Sequence, residues 1–437
     1  MNFWRSRFAI ALATGLVAIG SARLLLGRAE AANARASGLA DSAMLARDIR
    51  FYEERVQGDP WSAADLAQLA GLYLQRGRET GEIADLVRGE DTARRSLTLR
   101  EARNGKAALV LASVLLARHR FPEALEVARE LCQADPTRVS SCALYGEIQL
   151  EMGDYDGARH TFAALSHART NLAVAPRLAR WSEILGATDA ARRLLQGALA
   201  EARQRPDLPR EQLAWFYLRV ADLELRNGGL RDAERAFRNG LRVAPDDRRL
   251  LAGMARLEAV RHHWRKAIRY GERALATVPD PGTLALVGDA YAEMGDTIAA
   301  ERYFAAVERS AVEAPEPFNR AWTQFRLDHG RRVPETLALL RDEVQVRRDV
   351  YGYDQLAWAL YRAGDYRAAR EAMAAALRLG TRDAVLHFHA GMIEKALGEY
   401  RSTLGHLSTA LEINPYFHHE FAPQARAAAD SLAAENL

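Results

Sequence analysis

The sequence predicts an all-α solenoid, in which helix–turn–helix units stack side by side. The first observation is a 34-residue period, because Ala-Gly-Asp-Tyr at 363–366 is answered by Leu-Gly-Glu-Tyr at 397–400. The pair Ala376-Leu377 recurs at the same interval, at 410–411. The second is a composition rich in Ala, Leu and Arg with only 14 prolines, which favours helix. A fixed period indicates a solenoid, because one helix pair cannot bury its apolar stripe alone.

The N-terminal residues 1–31 have the pattern of an export signal. Two arginines precede an apolar stretch at 8–19, and small-x-small sites end at Ala22 and Ala31. A short basic start, an apolar core and such a site are typical of a cleaved secretory signal peptide.

The alternative is an uncleaved membrane anchor that runs on to Leu26. Arg23 interrupts that span, whereas a full crossing needs about 20 apolar residues. With either segment, the positive charge at the N-terminus places the repeats outside the cytoplasm. We therefore expect an exported protein of the periplasm or cell envelope, which touches the membrane only through this segment if it stays uncleaved.

The chain beyond residue 31 carries no formal net charge. Removing the four arginines and one glutamate of residues 1–31 from the totals of 60 Lys+Arg and 57 Asp+Glu leaves 56 of each. A basic surface of the kind that binds nucleic acid is absent, so we expect no nucleic-acid partner. Nearly all of these cations are arginines, which we attribute to the coding bias of a GC-rich bacterial genome.

Small residues recur at fixed positions of each unit. In the unit from residue 214 the eighth and twentieth positions hold Ala221 and Ala233, and Pro245 closes the unit. Comparable units begin near residues 105, 139, 172, 248, 281, 350 and 384. These residues resemble the tetratricopeptide-repeat family, whose unit is two closely packed antiparallel helices. The resemblance implies a right-handed α-solenoid of about nine to ten repeats, which we place at 61–420.

Two segments depart from this pattern. The unit from about 63 is interrupted by an expected insertion around 79–89. The unit from about 316 offers Glu335 where a small residue is expected, which predicts looser packing there. Because the ends of a solenoid need polar caps, we expect capping helices at 32–60 and 421–437.

Binding, and not catalysis, is the function that this pattern predicts. The sequence contains no phosphate-cradling glycine loop, no Gly-x-Ser-x-Gly elbow and no His-Glu-x-x-His, so we expect neither an enzyme nor a cofactor. The resemblance implies a non-catalytic scaffold that binds a segment of another protein in a concave groove, and the N-terminal pattern predicts that it does so at the cell envelope.

The resemblance also implies which residues line that groove, since first-helix positions face it. The late units supply an aromatic set, consisting of Tyr351, Asp354, Trp358, Tyr361, Phe388, Met392 and Lys395. The middle units supply a charged set, consisting of Arg180, Asp222, Arg226, Arg256, Asp289 and Arg320. Aromatic side chains in a groove suit an apolar partner segment. The alternative is that some of them pack against the next helix.

Two smaller features leave alternatives open. Cys132 and Cys142 should lie on neighbouring helices, where export permits a disulfide, or they are two buried thiols that pack as small apolar residues. Histidines gather near the C-terminus, at His387, His389, His418 and His419. They suggest a metal-binding or small-ligand protein as the alternative function, against ordinary packing and helix-capping roles.

Overall fold

The computed structural model describes residues 34, 36–313 and 319–434, and within these ranges it holds helices and turns without a strand. In chain order the helices are α1 (36–58), α2 (Ala63–Thr80), α3 (Ile83–Leu99), α4 (Gly105–Ala117), α5 (Phe121–Ala134), α6 (Val139–Met152), α7 (Tyr155–Ala164), α8 (Ala175–Ile184), α9 (Thr188–Arg203), α10 (Arg210–Arg226), α11 (Leu230–Val243), α12 (Arg248–Ala259), α13 (Trp264–Ala274), α14 (Pro281–Glu293), α15 (Thr297–Glu313), α16 (Arg320–Asp328), α17 (Val333–Val346), α18 (Val350–Arg362), α19 (Tyr366–Ala376), α20 (Ala384–Ala396), α21 (Tyr400–Ile413) and α22 (Phe421–Ala434). From α2 to α21 they form ten consecutive pairs, which confirms the predicted all-α solenoid.

The helices of each pair pack closely because small residues lie between them. Ala124, Ala158 and Ala233, all at the twentieth position of a unit, have no solvent exposure. A Cβ added to Gly288 would lie 2.4 Å from the ring of Phe304, so a larger side chain cannot fit there. The positions inferred from the sequence are therefore the contacts that hold each pair together.

One of the two irregular units folds differently from the expectation, and the other agrees with it in part. Residues 79–89 are not a looped insertion, because α2 continues to Thr80, turns at Gly81 and is followed by α3 from Ile83. In the unit from 316, Glu335 is exposed and the next residue, Thr336, takes the buried small position. A shift of one residue in register thus brings Thr336 into the helix interface. The looser packing that Glu335 predicted is nevertheless present, because α16 and α17 contact each other less than the helices of any other pair.

A helix lies at each end of the array. In α1, Leu45 and Ile49 pack against Leu69 and Tyr73 of α2. At the other end, Phe421 and Ala425 of α22 join the core of the last repeats. The apolar stretch at 8–19 lies outside the described residues. Among the helices of the described ranges, none combines the length and the hydropathy that crossing a bilayer would need.

Cys132 and Cys142 are joined as a disulfide, which links the end of α5 to the start of α6. The bond closes a loop with a sequence separation of 10. Replacing both cysteines with alanine is expected to lower the free energy of unfolding by about 2 to 3 kcal/mol, because a short loop is released in the unfolded chain. Thermal melting with and without reductant measures this. If the melting temperature of the wild-type protein is the same with and without reductant, the expectation is contradicted.

Successive turns of the superhelix touch each other along a line that we call the seam. Its first contact joins Met152 to Arg348, whose backbone N–H donates to the Met152 carbonyl at 3.0 Å. One unit further on, the Thr381 hydroxyl donates to the Ile184 carbonyl at 2.6 Å. One more unit on, the side-chain amide of Asn414 donates to the Leu225 carbonyl at 3.0 Å and to the Arg226 carbonyl at 3.2 Å. The solenoid therefore closes on itself.

A buried group of charges reinforces the first seam contact. Arg347 donates to the Glu151 carboxylate at 2.6 Å and to the Glu343 carboxylate at 3.2 Å. Arg320 holds the Asp349 carboxylate at 2.5 Å. Burial opposes ionisation of Asp349, but the guanidiniums of Arg320 and Arg347 outweigh it and hold the pKa of that carboxyl below its usual value. Each buried charge thus depends on its partners, and the pair of Arg347 and Glu151 joins two turns of the superhelix.

Candidate functional site

The predicted aromatic set is largely used in packing the end of the array. Trp358 and Phe388 are 3% and 0% exposed, and both contact Phe421 of α22. The Trp358 indole N–H donates to the Asp328 carboxylate at 3.2 Å. The expectation that these two rings line an open groove is therefore corrected, because the terminal helix covers them. Tyr361 remains half-buried and stacks on Trp358 at 4.7 Å.

The other members of the aromatic set have separate environments. Asp354 is buried and bonded to His389 at 2.8 Å, so it holds a histidine in place. Tyr351 lies under Arg180, whose guanidinium is 4.9 Å from the ring centre. Met392 is half-buried and Lys395 is exposed. The structure does not bring these residues together as one surface.

The predicted charged set is paired within the protein. Arg256 bonds Asp222 at 3.0 Å, Arg226 bonds Glu183, and Arg320 belongs to the seam. Burial alone would lower the pKa of His329, but its hydrogen bond to Asp289, 2.8 Å long, raises that pKa above the usual value. These charged side chains therefore have partners within the protein, and the inner surface carries charges of both signs.

Three of the predicted residues, Arg226, Arg256 and Asp289, line one cavity of about 370 Å³ inside the superhelix. We call it the inner cavity. The first helices α10, α12, α14, α16 and α20 form its walls, and the segment 414–420 closes it. Its other main lining residues are Val260, Ala285, Leu286, Gln324, Phe325, Asp328, His329, Asp383, Tyr416, Phe417, His418 and His419. An apolar floor with convergent polar groups is typical of a binding site.

Gln324 and Asp328 were missed although a signal for them exists. They occupy the ninth and thirteenth positions of the unit from 316, and the same positions supplied Arg256 and Arg226 in other units. The irregularity of that unit concealed them. Phe417 and the rest of 414–420 carried no such signal, because this segment follows the last repeat and has no counterpart in the period.

The C-terminal histidines are held by protein groups. His387 contacts His406 through their Nδ1 atoms at 3.1 Å. His418 Nδ1 accepts from the backbone N–H of Phe421 at 3.3 Å, which caps α22, and burial lowers the pKa of His418 well below its usual value. Within the described ranges, no three His, Cys, Asp or Glu side chains are placed to hold a metal ion. These contacts match the packing and capping alternative.

Asp328 titrates close to neutral pH. Burial raises its pKa to about 6, although Gln324 and Trp358 donate hydrogen bonds to the carboxylate. An unfolded aspartate has a pKa near 3.9, so the fold favours the protonated acid. The resulting loss in the free energy of unfolding is absent below about pH 4 and complete above about pH 6. It amounts to at most about 3 kcal/mol.

Asp328→Asn is therefore expected to remove a loss of stability that the wild type suffers as pH rises from about 4 to about 6. Melting temperatures of both proteins across this range give the measurement. Their difference should grow in favour of the variant with rising pH. Parallel curves would show that Asp328 ionises freely in the folded protein.

One protein-family model and several solved structures are similar to parts of this chain. A tetratricopeptide-repeat family model matches residues 101–180. A search of curated proteins found no match. The solved structure of PilW, a widely conserved type IV pilus biogenesis factor, is 17% identical with a TM-score of 0.40 and covers 49% of this chain and 96% of PilW. The APC/C hetero-tetramer Cut9–Hcn1 is 15% identical with a TM-score of 0.30, and the match covers 89% of this chain and 94% of the other. Yeast Tom70 is 10% identical with a TM-score of 0.34, and the match covers 84% of this chain and 96% of Tom70.

The matched residues 101–180 lie within α4 to α8, where the same small residues recur as in the later units. The helix pairs continue in one unbroken series on both sides of this match. Residues 101–180 are thus similar to the tetratricopeptide-repeat family, and helix pairs of the same kind lie on both sides of them.

Proposed function

We propose that this protein is a non-catalytic scaffold that binds a short segment of another protein in the inner cavity. The observation that carries the proposal is the convergence of first helices from several successive repeats on one enclosed, mixed-polarity space. A preformed cavity needs little reordering when a segment enters, which reduces the entropic cost of association.

The shape and charge of the cavity suggest the kind of segment. Val260, Leu286 and Phe417 offer an apolar floor, while Arg256 and Asp289 offer charges of both signs at its edge. A volume of about 370 Å³ is near the lower limit for ligand pockets, so it accepts one or two side chains and not a whole helix. We therefore propose a loop or chain end in which an apolar residue is flanked by charged ones.

Location at the cell envelope belongs to the same proposal. It is supported by the export pattern at 1–31 and by the disulfide between Cys132 and Cys142, since disulfides persist in oxidising compartments. The mass of the protein purified from its native cells tests it. A chain that starts after Ala22 or Ala31 supports a cleaved signal, and an intact chain in the membrane fraction supports an anchor. An intact chain in the cytosol would reject both.

Filling the inner cavity tests the proposed site. Ala285→Trp places an indole in the cavity, and Ala374→Trp makes the same change on the exposed face of α19. Chemical cross-linking in native cells, followed by purification, should recover one protein with the wild type and with Ala374→Trp. Ala285→Trp should lose it by at least about tenfold, because the indole occupies the space of the incoming side chain.

Circular dichroism and melting curves first establish that both variants keep the wild-type fold. Equal recovery with Ala285→Trp would move the binding site away from the inner cavity. Failure to recover a partner with any of the three proteins would reject the scaffold proposal itself.

A further inference from the structure

A second groove lies on the opposite, outer side of the solenoid, between the second helices α7 and α9. We call it the outer groove. It encloses about 800 Å³, with α8 as its floor. Its cause is visible in the sequence, because the connection from α7 to α8 spans residues 165–174, whereas α5 and α6 are separated only by 135–138. The longer connection separates α7 from α9, and the groove lies between them above a floor whose aromatic residues are buried.

The floor of the outer groove is apolar and its middle is open. Phe162 and Trp181 lie at its base, with their rings stacked at 6.4 Å, and Leu194 lies on the wall. On α9, Gly197 and Ala198 keep the wall low. A Cβ added to Gly197 would meet no atom within 4 Å. This arrangement lets a partner backbone approach closely, as small residues do at helix–helix contacts.

Arginines border this apolar floor. Arg169 and Arg193 are exposed, line the groove and make no ion pair with any residue that the structure describes. Arg159 is exposed as well and pairs only with Asp156 of its own helix, at 3.2 Å. Among the residues that line the groove, Glu201 is the sole acid. The outer groove is thus positive in a chain that is otherwise balanced in charge.

From this geometry we infer that the outer groove docks an acidic amphipathic helix of another protein. The lining along α9 and its C-cap runs from residue 190 to 204, which is about 21 Å at 1.5 Å per residue and fits a helix of about four turns. The apolar stripe of such a helix packs on Leu194, Gly197 and Ala200, and its acidic residues meet Arg169 and Arg193.

The N-terminal segment of this chain is a poor occupant of the outer groove. Residues 1–31 hold four arginines and one glutamate, so their charge has the same sign as the rim. Like charges brought together oppose binding, which leaves a partner of opposite charge. The site is also distinct from the inner cavity, because no residue lines both of them.

Calorimetric titration with defined peptides tests the inference on the purified full chain. The probe is a synthetic helical peptide of about 14 residues, with leucines on one face and glutamates beside them. A second peptide carries lysine in place of each glutamate, and phosphatidylglycerol vesicles provide an anionic lipid surface. We expect saturable binding of the acidic peptide that weakens with added salt, because the rim contacts are exposed charges.

Two variants, each with a matched control, locate the binding. Gly197→Leu fills the groove, and Gly405→Leu makes the same change in α21, where an added Cβ also meets no atom within 4 Å. Arg193→Glu reverses the rim, and Arg367→Glu reverses an exposed arginine of α19. Gly197→Leu and Arg193→Glu should each weaken binding by at least about tenfold, and their controls by less than about twofold.

Three results would overturn the inference. They are equal affinity for the acidic and lysine peptides, unchanged affinity in Gly197→Leu, and binding of the vesicles without binding of the acidic peptide. The proposed inner site is judged separately by Ala285→Trp, so either proposal can fail without the other.

Discussion

Arg347→Ala is expected to lower the free energy of unfolding by about 3 to 5 kcal/mol, since breaking a buried ion pair leaves uncompensated charge behind. Arg347 is only 3% exposed and bonds the carboxylates of Glu151 and Glu343. Its guanidinium also lies 3.9 Å from the centre of the Phe121 ring. Alanine would remove these contacts and leave the Glu343 carboxylate without one of its two arginine partners. Thermal melting followed by circular dichroism measures the loss.

The neighbouring Arg348 provides the control for this prediction. Its side chain is exposed, and it joins the seam through its backbone N–H, which alanine retains. Arg348→Ala should therefore change stability by less than about 0.5 kcal/mol. Small-angle scattering should show a larger radius of gyration for Arg347→Ala alone, because the two turns separate there. Similar melting points for the two variants would mean that the seam contributes little to the stability of the array.

The helix pairs could be predicted because their cause is local. A small residue such as Ala233 must face its partner helix within the same unit, and that requirement repeats with the unit. The period therefore carries the information, and a one-residue shift such as that at Thr336 is the kind of detail it misses. The neighbourhood of Cys132 and Cys142, which form the disulfide, could be predicted for the same reason, because they belong to adjacent helices.

The seam could not be predicted, because its contacts obey no repeat. Thr381 bonds the Ile184 carbonyl across 197 residues, and Asn414 bonds Leu225 across 189. Whether two such residues meet depends on the pitch of the superhelix, which sums small rotations over many units. No single residue type marks the outcome. Closure also restricts access to the groove, because a partner cannot enter between turns that are bonded together.

The candidate site was predicted in part, for a related reason. The position rule placed Arg226, Arg256 and Asp289 on the inner surface, and they do line one cavity. The same rule failed for Trp358 and Phe388, because it describes a repeat that is followed by another repeat. In this chain α22 follows the last repeat and covers both rings. A rule derived from the interior of an array needs correction at its ends.

Gly153→Ala is expected to destabilise the protein by about 3 to 5 kcal/mol, through two separate costs. Gly153 has a φ of 76°, a left-handed conformation that costs a residue with a Cβ about 1 to 2 kcal/mol. An added Cβ would also lie 2.4 Å from the carbonyl carbon and oxygen of Arg348. Because these are backbone atoms of the next turn, they can move away only if the seam opens. Melting temperature and small-angle scattering follow the two consequences.

Gly364→Ala separates the two costs of this change. Gly364 occupies the corresponding turn between α18 and α19 with a φ of 85°, and an added Cβ there would meet no atom within 4 Å. It should therefore show the conformational cost alone, about 1 to 2 kcal/mol, with an unchanged radius of gyration. The excess loss in Gly153→Ala then measures how strongly the seam holds successive turns together. If the two variants lose the same stability and keep the same radius, the turns do not press on each other in solution, and the inner cavity would be open to longer segments than the one proposed.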